Sequence, residues 1–215
     1  MNSLDHLKKN NRDWADKVQQ DDPDFFKRLA AQQKPEYLWR GCSGSRVPAN
    51  KICGLAPGEV FVHRNVANQV VHTDMNCISV VEYAVQVLKV KHIIICGHYR
   101  CGGVEAAVGG GAPSLVGHWI RHIRDIYEMH SNELDNKSNT DISRRMCEIN
   151  VVEQVRNLAT SPIILDAWAS NQQLAIHGWI YDINDGLVHD TNATLTSGLK
   201  INAQCDEAIK TRLAI

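Results

Sequence analysis

The sequence lacks any apolar run long enough to cross a lipid bilayer. A membrane-spanning helix needs about 20 consecutive apolar residues, whereas the longest apolar runs here, such as residues 93–96, have the length of a buried strand. The N-terminus opens on polar residues and has no apolar signal core. We therefore expect no membrane partner, and a location in the cytoplasm, or in an organelle if a targeting segment has been removed.

The chain also lacks a marked excess of charge of either sign. Its formal net charge is −1, and charged residues make up 22% of the sequence. Binding to nucleic acid or to an anionic membrane relies on clustered basic residues. The composition therefore argues against both kinds of partner.

A disulfide framework is not expected either. The count of cysteines is odd, at seven, in a chain that we expect to be intracellular. Most of these thiols should be reduced, and each is either a small buried residue or a candidate metal ligand. The seven are Cys42, Cys53, Cys77, Cys96, Cys101, Cys147 and Cys205.

The order of the predicted elements indicates one α/β domain, for which 215 residues are sufficient. Strands separated by helices imply a mainly parallel central sheet flanked by helices. We divide the domain, residues 1–215, into an N-terminal helical arm (1–35), a core (36–200) and a C-terminal helix (201–215). Strands are predicted over residues 37–42, 59–65 and 92–97, with a hairpin over 174–190. Helices are predicted twice within 3–33, then over 74–88, from 104, and over 115–130, 142–158, 162–169 and 202–213, with a surface loop at 131–140.

Two Gly-rich turns carry the candidate metal ligands. Cys42 ends the first predicted strand, and His98 and Cys101 follow the third strand as His-x-x-Cys. Because the carboxyl ends of parallel strands meet at one edge of a sheet, these side chains are expected to converge. Two thiolates and an imidazole suit zinc. The alternative, a buried cysteine and a hydrogen-bonded turn histidine, would fit His-x-x-Cys alone better than it fits both turns together.

Three protein ligands would leave one position of a tetrahedral zinc ion open. An open zinc ion lowers the pKa of a bound water toward about 7, which provides a nucleophile for a small electrophilic carbon. Two thiolates already cancel the charge of the ion, so hydrogen bonds around the ligands would have to support this acidification. Cys96 should point away from the site, into the core.

Five segments carry a recognisable pattern: CSGSRVP (42–48), PGEVFVHRNVAN (57–68), HIIICGHYRCGG (92–103), HWIRHIR (118–124) and HGWIYD (177–182). They resemble the β-class carbonic anhydrases, and the resemblance covers nearly the whole chain. It implies zinc on Cys42, His98 and Cys101, and reversible hydration of CO2 to bicarbonate and a proton. It also implies a homodimer or homotetramer, with the active site at the dimer interface and the N-terminal helices packed on the partner.

The resemblance further implies a substrate pocket lined by Gln33, Val66, Tyr83 and Gly102. For Val66 and Tyr83, ordinary core packing is an equal alternative.

The sequence is also similar to the bicarbonate-regulated (type II) subgroup, which has a second, non-catalytic bicarbonate site. Trp39, Arg64 and Tyr181 match its binding residues, and residues 47–49 match the adjoining segment. Arg64 would give charge-assisted hydrogen bonds to the anion, and the other two would be neutral donors. Without the resemblance, Trp39 would be assigned to the core and Arg64 to the surface.

The chain departs from the family at Gly44. The family motif is Cys-x-Asp-x-Arg, whereas this chain has Gly44 in place of the aspartate and keeps Arg46. The resemblance implies that this aspartate pairs with the arginine, accepts a hydrogen bond from the hydroxide and, in the inactive state of the regulated subgroup, becomes the fourth zinc ligand. We predict that zinc binding survives and that Arg46 recruits another carboxylate, an anion or water. We also predict that hydration is impaired, by about 10–100-fold if only ligand support is lost and by about 10²–10⁴-fold if proton transfer is lost.

A second departure is Arg40, where the family usually has an aliphatic residue. If it points outward, it is simply solvated. If it points inward, it brings a positive charge to the strand, and Glu59 is a candidate partner.

Three functions fit these observations. The first is a β-class carbonic anhydrase weakened by Gly44. The second is a non-catalytic, zinc-stabilised protein that binds bicarbonate or serves in assembly on the same fold. The third, favoured least, is a zinc hydrolase of a linear substrate such as COS or CS2.

Overall fold

The structure is a computed structural model that describes residues 3–31, 33–134 and 138–214. The chain forms two compact units, Met1–Lys34 and Pro35–Ile215. The boundary between them lies at the predicted end of the N-terminal arm.

The N-terminal unit is a pair of helices, α1 (Asp5–Asp21) and α2 (Phe25–Ala31), and none of their residues is buried. Asp22 ends α1 and pairs with Arg28 of α2. The rings of Trp14 and Phe26 meet edge to face, with centroids 5.8 Å apart. The unit also exposes large apolar side chains. Trp14, for example, is 51% exposed.

The second unit is built on a five-stranded sheet in the order β2-β1-β3-β4-β5. The strands are β1 (Tyr37–Cys42), β2 (Val60–Asn65), β3 (His92–His98), β4 (Ala175–Asp182) and β5 (Leu187–Leu195). The first four are parallel, and only β5 runs antiparallel, against β4. The predicted α/β class with a mainly parallel sheet is thereby confirmed. From β1, the chain leaves to β2 on one side and returns to β3 on the other, so the sheet has a topological switch point between β1 and β3.

Nine helices in the described part of the second unit accompany the sheet. They are α3 (Ala49–Cys53), α4 (Met75–Glu82), α5 (Gly102–Val108), α6 (Ser114–Trp119), α7 (Arg121–Met129), α8 (Ser131–Leu134), α9 (Asn139–Ala159), α10 (Pro162–Ala169) and α11 (Ile201–Ala214). A π-helical turn, Tyr83–Val87, continues α4. None of the helices in the described ranges is long and apolar enough to cross a membrane.

The two faces of the sheet are packed differently. The main core joins strand residues such as Leu38, Ile93 and Ile176 to α4, α9 and α10, and α9 is buried along most of its length. The opposite face carries a smaller cluster in which Trp39 and Cys96 pack with Ala49 of α3. Cys96 therefore points into a core, as predicted.

The helix predicted over residues 115–130 was wrong in one respect, because it is two helices that break at Ile120. The side-chain amide of Gln69 donates to the carbonyl of Trp119 over 3.1 Å and diverts it from the helix, while Ile120 is buried. The predicted loop at 131–140 was also too long. Helix α8 occupies its first four residues, α9 begins at Asn139 after its cap Ser138, and residues 135–137 lie outside the described part.

Candidate metal centre and active site

The three predicted ligands meet at the switch point of the sheet. Cys42 is the last residue of β1 and His98 the last of β3, and these strands are hydrogen-bonded neighbours. Arg100 takes a left-handed conformation, with φ of 55°, and this tight turn brings Cys101 back toward the strand ends before α5 begins. All three side chains are buried.

The geometry of the three side chains fits one metal ion. Their ligand atoms all lie within 4.8 Å of one another. The sulfur atoms of Cys42 and Cys101 are 3.7 Å apart, and two thiolates bound at about 2.3 Å to a tetrahedral ion would be separated by about 3.8 Å.

The histidine is oriented as a metal ligand would be. Nδ1 of His98 lies 2.9 Å from the carbonyl oxygen of Tyr99, so it carries the proton and donates it. Nε2 is thereby left with its lone pair, and it is buried with no hydrogen-bond partner in the described structure. A buried ring nitrogen without a partner is unfavourable unless something binds there. A zinc ion between Nε2 and the two thiols would remove that deficit.

The electrostatics of the site favour one thiolate in the absence of metal. A hydrogen bond from the Cys101 thiol, with smaller effects from His98 and the Gly44 amide, holds the pKa of Cys42 well below its ordinary range. The same pairing, together with burial, raises the pKa of Cys101. Burial acts to lower the pKa of His98, but the neighbouring Cys42 thiolate outweighs it, and the net direction is upward.

Two backbone amides donate to the sulfur of Cys42. The N–H groups of Gly44 and Ala67 each lie 3.2 Å from Sγ. Such bonds withdraw electron density from a ligating thiolate, so a metal ion there keeps more of its positive charge. These two hydrogen bonds therefore offset part of the neutralisation of the metal ion's charge that two thiolates would cause.

The structure has space for a side chain at position 44, and the backbone conformation there does not require glycine. A Cβ atom there would meet only Cys42 Sγ and His98 Nε2, both at 3.6 Å, and the backbone of Gly44 is not left-handed. Arg46, two residues on, is exposed and forms no ion pair or hydrogen bond within the described ranges.

The comparisons with known proteins agree with this geometry. Residues 37–188 match the carbonic anhydrase family. A carbonic anhydrase of Emericella nidulans is 46% identical over 189 residues, which are 87% of this chain and 83% of that protein. The β-carbonic anhydrase of Coccomyxa, solved in complex with acetazolamide, superposes with a TM-score of 0.89 at 36% identity, covering 100% of both chains. A tetrameric β-carbonic anhydrase of Sordaria macrospora superposes at 0.86 and 37% identity, covering 91% of this chain and 100% of that one.

The chain belongs to the β-class carbonic anhydrase family.

Within this carbonic anhydrase, two of the residues predicted to line the substrate pocket, Val66 and Tyr83, are partly exposed to solvent. Val66 is 40% exposed, and it borders an open apolar hollow with Leu115, Val116 and Trp119. Tyr83 is 44% exposed, and its ring lies 5.9 Å from that of Phe61. The exposure of Val66 and Tyr83 argues against simple core packing.

The other two predicted pocket residues stay predictions. Gly102 begins α5 with open space at its Cβ position. Gln33 belongs to the N-terminal unit and lies outside its helices.

The three residues predicted to bind bicarbonate lie on three strands: Trp39 on β1, Arg64 on β2 and Tyr181 on β4. Trp39 and Tyr181 are buried in the same small cluster, and Val47 packs against it. The guanidinium of Arg64 donates to the carbonyl of Val47 at 3.0 Å, and more weakly to those of Cys42 and Ser45. Arg64 is therefore tied to the segment that carries Cys42, and is not a free surface cation.

Arg40 points inward and is completely buried. It contacts Nδ1 of His63 and donates to the carbonyl of Gln69 at 2.6 Å. The suggested partner Glu59 was wrong, since its carboxylate accepts a hydrogen bond from the amide of Ala56.

Sequence reasoning missed Ala67, whose amide reaches Cys42, and the polar residues of α9 behind it. A signal for the latter existed in the sequence. Asn150, Gln154 and Asn157 recur at a spacing of four and three residues, which places them on one face of a helix. Buried amides aligned in this way must find polar partners.

Proposed function

We propose that this chain binds one zinc ion through Cys42, His98 and Cys101 and catalyses the reversible hydration of CO2 to bicarbonate and a proton. One observation carries the proposal: the unpartnered Nε2 of His98 lies beside two thiols whose spacing fits a tetrahedral ion, in a chain of the carbonic anhydrase family. When bound, zinc supplies a Lewis acid that lowers the pKa of water toward neutrality.

The residues of the chain prepare this site in three ways. Cys42, His98 and Cys101 offer a buried ligand set that leaves one tetrahedral position open. The amides of Gly44 and Ala67 reduce the electron density that Cys42 donates. Val66, which precedes Ala67 in the chain, borders an apolar hollow that suits a non-polar substrate such as CO2.

Proton transfer is the weak part of the machinery. Gly44 has no side chain to accept a hydrogen bond or a proton, so the proton must pass to water or buffer. The hydration rate of this chain should therefore rise with the concentration of a proton-accepting buffer, and should stay about 10–10⁴-fold below that of a complete site.

The test is stopped-flow CO2 hydration on the zinc-loaded protein between about pH 7 and 9, with Cys101→Ser as the ligand-deficient control. A zinc-dependent rate that rises with buffer concentration and is lost in Cys101→Ser supports the enzyme. Absence of any rate above the control, with bicarbonate still bound in calorimetry, would instead support the second candidate, a non-catalytic bicarbonate-binding protein, which the missing carboxylate at position 44 favours.

The proposed assembly is a homodimer or homotetramer. The Sordaria macrospora relatives are described as tetrameric, and the N-terminal helices of this chain, proposed to pack on the partner, expose Trp14, Phe26 and Leu29. Sedimentation equilibrium of the intact chain tests this assembly, and a monomer at micromolar concentration would contradict it.

We also propose that Trp39, Arg64 and Tyr181 form a non-catalytic bicarbonate site of the type II kind. The indole N–H of Trp39 and the hydroxyl of Tyr181 have no hydrogen-bond partner in the ranges described, so both are available donors. Arg64 could exchange one of its backbone carbonyl partners for the anion. Bicarbonate binding at this site would then change the hydrogen bonding of the segment 42–47, because Arg64 donates to the carbonyl groups of Cys42, Ser45 and Val47.

A further inference from the structure

The turn Val66–Asn68 holds two consecutive residues in the left-handed region, which asparagine tolerates and which the side chain of Ala67 disfavours. Ala67 has φ of 62° and Asn68 has φ of 48°, and neither is a glycine. A left-handed residue with a Cβ atom costs about 1 kcal/mol or more, so surrounding contacts must enforce it. Both residues are buried, so other parts of the protein surround and contact them.

Buried amide side chains on α9 supply the enforcing contacts. Asn150 donates from Nδ2 to the carbonyl of Ala67 at 3.1 Å. Gln154 donates to Oδ1 of Asn150 at 2.9 Å, and its own Oε1 accepts the amide of Val70 at 2.7 Å. The carbonyl of Ala67 and the amide of Val70 are thus clamped by two adjacent turns of one rigid helix.

The peptide group on the other side of the Ala67 Cα atom reaches the metal centre. Asn150 holds the carbonyl of Ala67, and the N–H of Ala67 lies in the preceding peptide group and donates to Sγ of Cys42 at 3.2 Å. The direction of this N–H depends on the left-handed conformation of Ala67, since rotation toward the ordinary helical or extended region would turn the amide away from the sulfur.

We propose that Asn150 and Gln154 are positioning residues for the metal centre. By holding Ala67 in its left-handed conformation, they set the hydrogen bond from the Ala67 N–H to the Cys42 thiolate. That bond in turn affects the affinity of the site for metal and the electron donation of the thiolate. The inference rests on the proposed zinc site. It matters more in this chain than in one with a carboxylate at position 44, because backbone amides are the remaining support for the ligand set.

The test uses cobalt as a spectroscopic probe in place of zinc. Asn150→Leu keeps the size of the side chain and removes both of its hydrogen bonds, and Gln154→Glu removes the donor to Asn150 while it keeps an acceptor for Val70. Loss of a supporting hydrogen bond of this kind typically weakens metal binding by about 10–100-fold. We expect a shifted thiolate-to-cobalt absorption band and at least about 10-fold weaker zinc binding in chelator competition.

Asn157→Ala is the matched control. Asn157 lies on the same face of α9 and donates to the carbonyl of Val70 at 3.2 Å and, over a longer 3.4 Å, to Oε1 of Gln154. It has no hydrogen bond to Ala67 or Asn150 in the described structure. This variant should lose stability and leave the cobalt spectrum unchanged.

A rescue variant separates positioning from folding. Glycine adopts the left-handed conformation readily, so Ala67→Gly in the Asn150→Leu background should restore part of the metal affinity and the band position. Cobalt spectra and zinc affinities of Asn150→Leu and Gln154→Glu that equal those of the parent would overturn the inference. Absence of a thiolate-to-cobalt band in the parent itself would overturn the proposed metal site, and the inference with it. If Asn150→Leu does not fold, Gln154→Glu alone decides between these results.

Discussion

A Cβ atom on Gly44 would lie 3.6 Å from Nε2 of His98, an ordinary van der Waals separation. Nothing in the described surroundings of Gly44 would have to move to accept a side chain, and its backbone conformation is open to any residue. The position next to the proposed zinc ion is therefore ready to receive the aspartate that the family motif has there.

Gly44→Asp should raise CO2 hydration by about 10–100-fold or more, because a carboxylate would support the site and accept a hydrogen bond beside the open metal position. Stopped-flow kinetics on zinc-loaded protein measure the effect. Gly44→Asn is the matched control, since it has the same shape without the charge or the proton-accepting capacity. Equal rates in Gly44→Asp and Gly44→Asn would refute a role for the missing carboxylate.

The effect of replacing Arg46 should depend on the residue at position 44. In the parent, Arg46 has no ion-pair partner in the residues described, so Arg46→Gln should change hydration little there. In the Gly44→Asp background, the same substitution should remove much of the gain, because the new carboxylate would lose the cation that orients it. A double-mutant cycle reports this coupling, and additive effects would contradict it.

Bicarbonate should inhibit Gly44→Asp more steeply than the parent. Arg64 connects the proposed bicarbonate site to residues 42–47, but the parent lacks the carboxylate that would occupy the fourth metal position. Initial rates of hydration at increasing bicarbonate concentration measure the difference. Tyr181→Phe, which removes one proposed donor with little change in packing, should abolish the added sensitivity. Identical inhibition curves in parent and Gly44→Asp would exclude regulation through position 44.

Metal binding should release protons in a way that depends on pH. In the metal-free site, Cys101 retains its proton because the neighbouring Cys42 thiolate and burial raise its pKa, whereas Cys42 is already ionised. Against the opposing effect of burial, the hydrogen bond and charge of the Cys42 thiolate raise the pKa of His98, so a second proton becomes available for release as the pH falls. We therefore expect release of about one proton per zinc ion at pH 8 and a larger number near pH 6, with affinity that increases as pH rises.

Titration calorimetry in buffers with different heats of ionisation measures this proton count. Cys205→Ser is the control, because Cys205 is buried in α11, away from the ligand set, and its removal should leave the count unchanged. A release of about two protons at pH 8 would show that both thiols are protonated in the free protein, against the assigned pairing.

Local patterns were sufficient to predict that Cys42, His98 and Cys101 meet, and to predict the strands that carry two of them. Cys42 and His98 end two apolar segments of strand length, and each is followed by a Gly-rich or tight turn, so both signals lie within a few residues of the ligands. The left-handed Ala67 could not be predicted in this way, because no glycine marks it. Its conformation depends on Asn150, which is 83 residues away in the chain.

The break at Ile120 has the same kind of cause. The sequence from Leu115 to His130 is compatible with one helix, and the interruption comes from Gln69, which takes the carbonyl of Trp119 from 50 residues away. Contacts of this kind depend on which buried polar groups meet in the folded chain, and neither periodicity nor composition records them.

Arg40 is a buried cation without a carboxylate partner in the described structure, and its replacement should reveal the cost of that arrangement. Its side chain is fully buried, and Nε has no hydrogen-bond partner. Burial lowers its pKa, and the Coulombic effects of Cys77 and Asp74 offset this only in part. The carbonyl of Gln69 also accepts a hydrogen bond from Asn65, so it would remain satisfied without Arg40.

Arg40→Met should therefore leave the free energy of unfolding unchanged or raise it by about 1–2 kcal/mol, since an apolar side chain of similar length removes a desolvated charge and fills its space. Urea unfolding of the zinc-loaded protein measures the change. Arg121→Met, at an exposed arginine that pairs with Asp125, is the control and should stay within about 0.5 kcal/mol of the parent. A loss of more than about 2 kcal/mol in Arg40→Met would mean that its bonds to His63 and Gln69 outweigh the desolvation of the guanidinium, and that Arg40 stabilises the turn beside the metal centre.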